Sequence, residues 1–366
     1  MARIDLDLAH AYKPNPQRDE DFALLPLQMS FVDGGAYALL GPSGCGKTTM
    51  LNIISGLVKP SQGTVQFDGK DVNKLTPQQR NIAQVCQFPV IYDTMTVAQN
   101  LAFPLQNRGV APDRIKQRVG QVAEMLEMSG QLGMRAAGLT ADAKQKISLG
   151  RGLVREDVSA VLFNEPLTVI DPHLKWQLRR KLKQIHHELK LTLIYVTHDQ
   201  IEALTFADQV MVMTRGRAVQ IGSASDLFER PQHTFVGYFI GSPGMNFLPA
   251  RRTGAGLYVA GHTVNAVAQA PQGTESFTLG VRPEYVTLAG ADDPGTVPAK
   301  VTQAQDIGTY WLVSATVGSG PSTATVRARI GLDQRIPTVG EAVWLSIVGT
   351  HTCYYRNDEL IPDTSP

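Results

Sequence analysis

The amino-acid sequence predicts an α/β domain in which helices cover a sheet, followed by a smaller all-β domain. With 366 residues the chain is too long for one ordinary hydrophobic core. Short apolar segments rich in β-formers alternate with helical segments as far as residue 240. Beyond Ser242-Pro243-Gly244, segments of alternating apolar and polar residues are separated by Gly, Pro and Asp. These observations place the two domains at 1–240 and 241–366, and the second domain is expected to be a barrel.

The individual elements follow from two periodicities. Five short apolar segments are predicted to be strands of a buried sheet: 36–40, 82–85, 160–163, 193–196 and 210–213. Apolar residues at helical spacing predict helices at 48–57, 114–128 and 174–189. In the second domain the alternating segments predicted to be strands are 278–281, 311–317, 323–330 and 342–348.

Charge and composition exclude several classes of function. The formal net charge is +1, so bulk nucleic-acid binding is not expected. The first residues carry Asp5, Asp7 and His10 and lack the apolar core of a signal peptide. No uncharged apolar stretch reaches the length of about 18 residues that a membrane span needs, so a membrane role must come through a partner. The three cysteines lack metal-ligand spacing and indicate a reducing cytosol.

A phosphate-binding loop is predicted near the start of the chain. The segment Gly41-Pro42-Ser43-Gly44-Cys45-Gly46-Lys47-Thr48 fits the pattern G-x-x-x-x-G-K-[ST]. Its glycines let backbone N–H groups curl around phosphate oxygens. Lys47 can reach the β- and γ-phosphates, and the Thr48 hydroxyl can coordinate Mg²⁺. Because a predicted strand precedes the loop and a helix follows it, the helix N-terminus adds a favourable site for an anion.

Polar residues follow three of the other predicted strands. Asn164-Glu165 ends one strand, where P-loop ATPases normally have an aspartate that helps to hold Mg²⁺ and a glutamate that orients or deprotonates water. His198 follows the strand at 193–196, at the sheet edge where open α/β sheets bind ligands. Gln87 follows the strand at 82–85 in the same way. Taken singly these would be ordinary strand ends, and the combination with a phosphate loop indicates function.

At this point the chain resembles the ATP-binding subunits of ABC transporters, within the carbohydrate-uptake importer group. The segment Gly41 to Thr49 matches that group's Walker A loop, and Asn164-Glu165 falls at Walker B and the catalytic glutamate. Gln87 falls at the Q-loop, Asp171 at the D-loop and His198 at the switch histidine. Tyr12 resembles the aromatic residue that stacks on adenine. Residues 241–247 and 280–284 are similar to the group's C-terminal regulatory barrel, so the resemblance covers nearly the whole chain.

The resemblance implies a complete set of site residues. It implies a P-loop ABC ATPase domain with a helical subdomain at about 90–155, and an OB/TOBE-like barrel. Glu165 and His198 would be catalytic, and Thr48, Gln87 and Asn164 would hold Mg²⁺. ATP would be bound by Tyr12, Gly41, Ser43, Gly44, Cys45, Gly46, Lys47, Thr48, Thr49, Gln87, Asn164 and Asp171. A signature loop acting on the nucleotide of the opposite subunit would comprise Leu139, Thr140, Ala141, Asp142 and Ala143.

Two positions depart from the family pattern. The family's signature loop is Leu-Ser-Gly-Gly-Gln, and here Thr140 keeps the hydroxyl while Ala141 and Asp142 replace both glycines. At about 4 Å and an effective dielectric constant of about 20, a carboxylate costs about 4 kcal/mol for each facing negative charge. Asp142 is therefore expected to turn away, or Lys144 to compensate its charge. Asn164 accepts hydrogen bonds but lacks the negative charge of the usual aspartate.

The sequence therefore predicts an ATPase subunit that forms half of a nucleotide-sandwich dimer and powers import. Its solute would be a small sugar, polyol or glycerol phosphate, with glycerol and glycerol-phosphate importers the most similar. Expected partners are a second ABC ATPase subunit, different from this chain because of the two departures, two transmembrane permease subunits and a substrate-binding protein. The subunit would be peripheral on the cytoplasmic face of the inner membrane.

Two alternatives stay open. One is a degenerate, weakly hydrolysing subunit that regulates a heterodimeric importer. The other is a cytosolic ABC protein without a membrane partner, which the single cassette and the small β domain disfavour. Within the predicted helix 174–189, His186 and His187 are adjacent, so they face different sides and make a poor metal pair, and a solvated helix surface is expected there. The basic stretch at 175–190 is likewise expected to be an exposed helix face.

Overall fold

The computed structural model divides the chain into two compact units, residues 1–224 and 225–366. It describes residues 2–168, 170–253, 256–265, 271, 276–320 and 323–362. The second unit thus includes about fifteen residues before the boundary expected after residue 240. The division at 240 and 241 stays a prediction.

The first unit is built on two sheets. Its strands are β1 (Ile4–His10), β2 (Leu24–Phe31), β3 (Ala36–Leu40), β4 (Gln62–Phe67), β5 (Lys70–Asp71), β6 (Ile82–Val85), β7 (Ala160–Asn164), β8 (Leu193–Thr197), β9 (Gln209–Thr214) and β10 (Arg217–Gly222). An antiparallel sheet has the order β2-β1-β4-β5, and the central sheet has the order β10-β9-β3-β8-β7-β6.

The central sheet confirms all five strands predicted for the first domain. Its strands β9, β3, β8, β7 and β6 pair in parallel, and β10 adds an antiparallel edge. The residues of β3 and β8 are buried throughout, as expected for strands that are covered on both faces. Apolar residues of β3, β7 and β8 share one core with the antiparallel sheet and the first helix.

Six α-helices accompany these strands among the described residues. They are α1 (Lys47–Ser55), α2 (Val97–Gln106), α3 (Pro112–Met125), α4 (Ala141–Leu153), α5 (Pro172–Leu189) and α6 (Gln200–Phe206). A further helix, α7 (Ala224–Glu229), begins at the last residue of this unit and otherwise belongs to the second unit. Helices α2, α3 and α4 bury their apolar faces against one another in a cluster of their own, which forms a helical subdomain, and its bounds of about 90–155 stay a prediction. Within the described residues, none of the helices is both long and apolar enough to cross a membrane.

The adjacent histidines of α5 correct one expectation. His186 is buried, and its Nδ1 lies 2.9 Å from the carbonyl oxygen of Leu191, just past the helix end. Burial lowers the pKa of the His186 imidazole. The expectation of a solvated pair is therefore wrong for His186, because its face of α5 is turned to the interior, while His187 is exposed.

The second unit is a barrel-like arrangement of two antiparallel sheets around one apolar core. It contains α8 (Thr234–Phe239), β11 (Asn246–Thr253), β12 (Gly256–Val259), β13 (His262–Val264), β14 (Ser276–Val281), β15 (Thr287–Ala289), β16 (Thr296–Asp306), β17 (Trp311–Val317), β18 (Ala324–Ile330), β19 (Ala342–Ser346), β20 (Cys353–Arg356) and β21 (Glu359–Leu360). The sheet orders are β13-β12-β11-β14-β20-β21 and β15-β19-β16-β17-β18. The four strands predicted for this domain are confirmed.

Arg282 connects helices α7 and α8 to these sheets. Its guanidinium is buried and donates to the carbonyl oxygens of Leu227 at 3.2 Å, Phe228 at 2.5 Å and Ile240 at 2.6 Å. It also lies over the Phe228 ring at 4.0 Å from the ring centre. A guanidinium presents five N–H donors in a fixed plane, so one side chain can pair with carbonyls at the ends of both α7 and α8. This explains why residues from 225 onward belong to the β unit.

Replacing Arg282 should destabilise the second unit. Arg282→Met should lower its free energy of unfolding by about 3 kcal/mol or more, because each buried carbonyl left unpaired costs about 1–3 kcal/mol. Urea unfolding followed by the fluorescence of Trp311 and Trp344 measures this loss. Lys300→Met, which removes an exposed cation from β16, is the matched control and should change little. Equal losses in the two variants would contradict the role given to Arg282.

Candidate functional site

The phosphate loop joins β3 to α1, as the sequence predicts. Gly46 occupies the position before the first helical residue with φ +104°, and Gly44 has φ +79°. A side chain rarely adopts such angles, so glycine is required for conformation at both positions. Gly41 is required for space, since a Cβ there would lie 2.2 Å from the carbonyl oxygen of Met213. Ser43 and Gly44 are exposed at the loop tip.

Lys47 is buried beneath this loop. Its Nζ donates to the carbonyl oxygens of Gly41 at 2.8 Å and Pro42 at 2.9 Å. Its third described partner is the Sγ of Cys45 at 3.8 Å, a weak acceptor. Burial raises the pKa of the Cys45 thiol, which keeps that sulfur neutral. A phosphate oxygen can therefore replace a weak partner of the ammonium without removing its two carbonyls.

Two of the three predicted metal ligands lie together. The Thr48 hydroxyl donates to Oδ1 of Asn164 at 3.4 Å, which joins the start of α1 to the end of β7. Thr48, Asn164 and Gln87 offer only neutral oxygen atoms. No group of three or more His, Cys, Asp and Glu side chains suited to a metal occurs in the described part of the chain. Such a donor set fits Mg²⁺, which keeps several waters and takes its charged ligands from substrate phosphates.

The predicted catalytic residues converge on a single atom. Oε2 of Glu165 is approached by Nδ1 of His198 at 3.2 Å, Nε2 of Gln87 at 3.5 Å and the hydroxyl of Thr168 at 3.3 Å. We call Gln87, Glu165, Thr168 and His198 the Glu165 cluster. A carboxylate only accepts hydrogen bonds, so Nδ1 of His198 carries the proton in this contact. The cluster brings together three strand ends, and Thr168 was missed because one hydroxyl in a loop carries no sequence signal.

Tyr12 lies beside the phosphate loop with an exposed ring. Its hydroxyl is 3.2 Å from that of Thr49, and its ring meets the His10 ring edge-on with a centroid distance of 4.6 Å. His10 is buried, its Nδ1 lies 3.2 Å from the Ser61 hydroxyl, and burial lowers the pKa of its imidazole. No local sequence pattern singles out His10 or Ser61 as supports for Tyr12.

The signature segment begins α4. Thr140 precedes the helix, and its hydroxyl accepts a hydrogen bond from the N–H of Ala143 at 3.3 Å, so Thr140 caps the helix N-terminus. Ala141 is exposed, and Leu139 packs against the helical cluster of α2, α3 and α4. These described contacts are made within the helical subdomain, which is compatible with action on another subunit's nucleotide. Asp171 is exposed immediately before α5.

The charge of Asp142 is balanced by a different lysine from the one expected. Lys144 pairs with Asp93 at 3.0 Å, so the expected compensation by Lys144 is wrong. Oδ2 of Asp142 lies 3.7 Å from Nζ of Lys146, one helical turn further on. Residues four apart share a helix face, whereas residues two apart do not. Oδ1 of Asp142 is buried and has no hydrogen-bond partner among the described residues.

Comparison with known proteins agrees with both parts of the fold. A model of the ABC transporter family matches residues 24–168, and a model of the TOBE domain matches 279–353. The sn-glycerol-3-phosphate import ATP-binding protein of Pectobacterium atrosepticum is 36% identical over 326 residues, which cover 88% of this chain and 89% of that protein. The protein of that name from Paraburkholderia xenovorans is 40% identical over 75% of this chain and 78% of its own length.

Two further similarities are to a sugar importer subunit and to a solved structure. The trehalose import ATP-binding protein of Mycobacterium tuberculosis is 41% identical, over 80% of this chain and 75% of its own length. The solved structure of CbiO1 from Clostridium perfringens, part of an ABC transporter complex, superposes with a TM-score of 0.56 at 25% identity. That superposition covers 62% of this chain and 90% of CbiO1.

A pair of glycine substitutions tests the geometry of the phosphate loop. Gly41→Ala should lower the free energy of unfolding by about 3 kcal/mol, because its Cβ would overlap a main-chain oxygen that cannot turn aside. Gly44→Ala should cost only about 1 kcal/mol, because its Cβ would meet open space and only the left-handed backbone conformation is penalised. Urea denaturation of the two variants gives both values. Equal losses would show that the space around Gly41 is not limiting.

Proposed function

The chain belongs to the ABC transporter family, as an ATP-binding import subunit, and we propose that it hydrolyses ATP at the Glu165 cluster to drive uptake of glycerol phosphate or a small sugar or polyol. ATP binding follows from family membership. The observation that supports the location of the chemistry is the meeting of three donors on one oxygen of Glu165. The solute class rests on the relatives named for sn-glycerol-3-phosphate and trehalose import.

The arrangement of donors suggests how Glu165 acts. All three described contacts fall on Oε2, so Oε1 is left to accept a proton from water. As the water oxygen bonds to the γ-phosphorus, that proton passes to Oε1. The bond between the γ-phosphorus and the bridging oxygen breaks, and ADP and phosphate are the products. The donors on Oε2 hold the carboxylate in one orientation while the transfer occurs.

His198 and the loop residues would bind the phosphates. Since Nδ1 of His198 donates to Glu165, Nε2 is the nitrogen left to face the phosphates, and it can donate to a phosphate oxygen only in an imidazolium that carries both protons. Lys47 and the backbone N–H groups from Gly44 to Thr48 would hold the β- and γ-phosphates, with Tyr12 stacking on adenine. Mg²⁺, when bound, neutralises part of the phosphate charge. Thr48, Gln87 and Asn164 would hold it, directly or through its waters.

The proposed partners follow from import. Two transmembrane permease subunits and a substrate-binding protein would complete the transporter, with this chain peripheral on the cytoplasmic face of the membrane. The relatives named above are import ATP-binding proteins, and in the described residues no helix qualifies as a membrane span. The TOBE-like barrel would be a regulatory domain, and residues 139–143 would act on the ATP of the opposite ATPase subunit.

A second candidate is a heterodimer in which this chain is the weaker ATPase. Two observations favour it. Asn164 removes a negative charge from this chain's own site, and Asp142 adds one where the partner's ATP would lie. The pairing of Asp142 with Lys146 argues the other way, because it withdraws part of that charge. The names of the relatives give no support to a second, different ATPase subunit.

Glu165→Gln tests the proposed chemistry. The variant should bind ATP with unchanged affinity and hydrolyse it about 10²-fold more slowly or worse, because an amide is a very weak base. Calorimetry gives the affinity and phosphate release gives the rate. Glu124→Gln, which neutralises an exposed carboxylate on α3, is the control and should hydrolyse normally. Normal turnover of Glu165→Gln would place the general base elsewhere.

Restoring the family's usual residues at the two departing positions tests whether the dimer contains two copies of this chain or two different ATPase subunits. In a heterodimer each departure affects a different nucleotide site, whereas in a homodimer both affect both sites. We expect the chain reconstituted with its permease subunits, without any other ATPase, to show weak solute-stimulated hydrolysis. Asn164→Asp should raise hydrolysis at this chain's own site, and Ala141→Gly combined with Asp142→Gly should act at the partner's. Full activity and transport in that preparation would exclude the heterodimer.

A further inference from the structure

A buried carboxylate lies behind the turn that carries His198. The side chain of Glu202, in the first turn of α6, is 4% exposed. Its Oε2 accepts hydrogen bonds from the hydroxyls of Thr197 at 2.8 Å and Tyr195 at 3.1 Å, both on β8. Its Oε1 lies 3.7 Å from Nζ of Lys175 on α5. One carboxylate thus contacts β8 and α5 from a position on α6.

The Thr197 hydroxyl makes two hydrogen bonds at the turn that carries His198. It donates to Glu202 and accepts the N–H of Asp199 at 3.0 Å, and the bond to Asp199 spans His198. A carboxylate is only an acceptor, so Glu202 fixes the direction of the hydroxyl and leaves its lone pairs to Asp199. Asp199 in turn accepts the N–H groups of Ile201 at 2.8 Å and Glu202 at 3.1 Å. We call the chain of bonds from Glu202 through Thr197 to Asp199 the Thr197 relay.

Lys175 extends this arrangement to the segment after Asp171. It lies in the first turn of α5, and its N–H donates to the carbonyl oxygen of Asp171 at 2.9 Å. Its ammonium is largely shielded, with 24% of the side chain exposed, so the attraction to Glu202 is weakly screened. A movement of α5 therefore acts on the carboxylate that orients Thr197.

Stability alone explains only part of this network. A buried carboxylate needs partners whatever its function, and both Tyr195 and Thr197 provide them. Burial, with Glu202 as the second cause, raises the pKa of Tyr195 well above its usual value, which keeps that hydroxyl a donor. The Tyr195 bond ends inside the core, whereas the Thr197 bond continues around His198. That difference separates a structural role from a positioning role.

We propose that Glu202 is a positioning residue for His198. Through the Thr197 relay, Glu202 fixes the turn that orients the His198 imidazole toward Glu165. Through its ion pair with Lys175, it makes this orientation depend on the position of α5. This rests on the role proposed above for His198. Glu202 itself touches neither nucleotide nor water in this account.

The test compares two hydroxyls that bond the same carboxylate oxygen. Thr197→Val keeps the shape of the side chain and removes the relay, whereas Tyr195→Phe removes the other bond and is the matched control. For the full-length chain, Thr197→Val should lower the kcat of ATP hydrolysis about ten-fold with KM for ATP nearly unchanged, since a displacement of about 1 Å can cost about 10²-fold. Thr197→Ser should restore kcat, and Tyr195→Phe should keep it.

A spectroscopic measurement separates positioning from folding. The imidazole ¹⁵N resonances of His198 should move in Thr197→Val and stay in Tyr195→Phe, although both variants lose a buried hydrogen bond to Glu202. A wild-type kcat in Thr197→Val, or an equal loss in Tyr195→Phe, would overturn the inference. His198→Ala is the reference. If it hydrolyses ATP normally, the role proposed for His198 fails, and if it is slow while Thr197→Val is normal, only the positioning role of Glu202 fails.

Discussion

The parallel register of four strands is the constraint on which the candidate site depends. Leu40 is paired with Thr197, Asn164 with Val196, and Val85 with Phe163. These four strands, β3, β8, β7 and β6, therefore end at nearly the same level. The residues that follow them lie at the same edge of the sheet. A slip of one residue in any pair would turn that strand's side chains to the opposite face. The position of the Glu165 cluster is thus set by backbone hydrogen bonds that lie far inside the core.

The same constraint explains which parts of the site could be predicted from the sequence. The strands at 36–40 and 82–85 have the predicted bounds because short, predominantly apolar segments mark strands of a buried sheet clearly. Once the strands are placed, the residues that follow them are placed as well. The roles of Thr168, Glu202 and His10 were not predicted, because they depend on partners that no local sequence pattern reveals. Glu202 resembles any acidic residue at the start of a helix until the hydroxyls of β8 are seen around it.

The errors have equally local causes. Lys144 was the nearest cation to Asp142 in the sequence, but on α4 the neighbour in space is Lys146, and Lys144 reaches Asp93 instead. His186 was taken for a surface residue because its neighbour is also a histidine, whereas one side of α5 is buried and contains it. In both cases helix geometry decided a question that residue type alone could not. The boundary at 240, which stays a prediction, rests on the change of composition there, and the three carbonyls bound by Arg282 tie α7 and α8 to the β unit.

Glu165 shows how one residue combines these constraints. Its N–H donates to the carbonyl oxygen of Val196 at 2.9 Å, so the ladder between β7 and β8 continues one residue past the strand. The chain must then reverse, and Glu165 takes a left-handed conformation with φ +49°. Glycine would adopt this conformation without the cost of about 1–2 kcal/mol that other residues incur. Glycine would also leave Gln87, Thr168 and His198 with no common acceptor. The strain at Glu165 therefore persists because the carboxylate is needed at the point where the backbone turns, and the sheet on either side is rigid enough to hold it there.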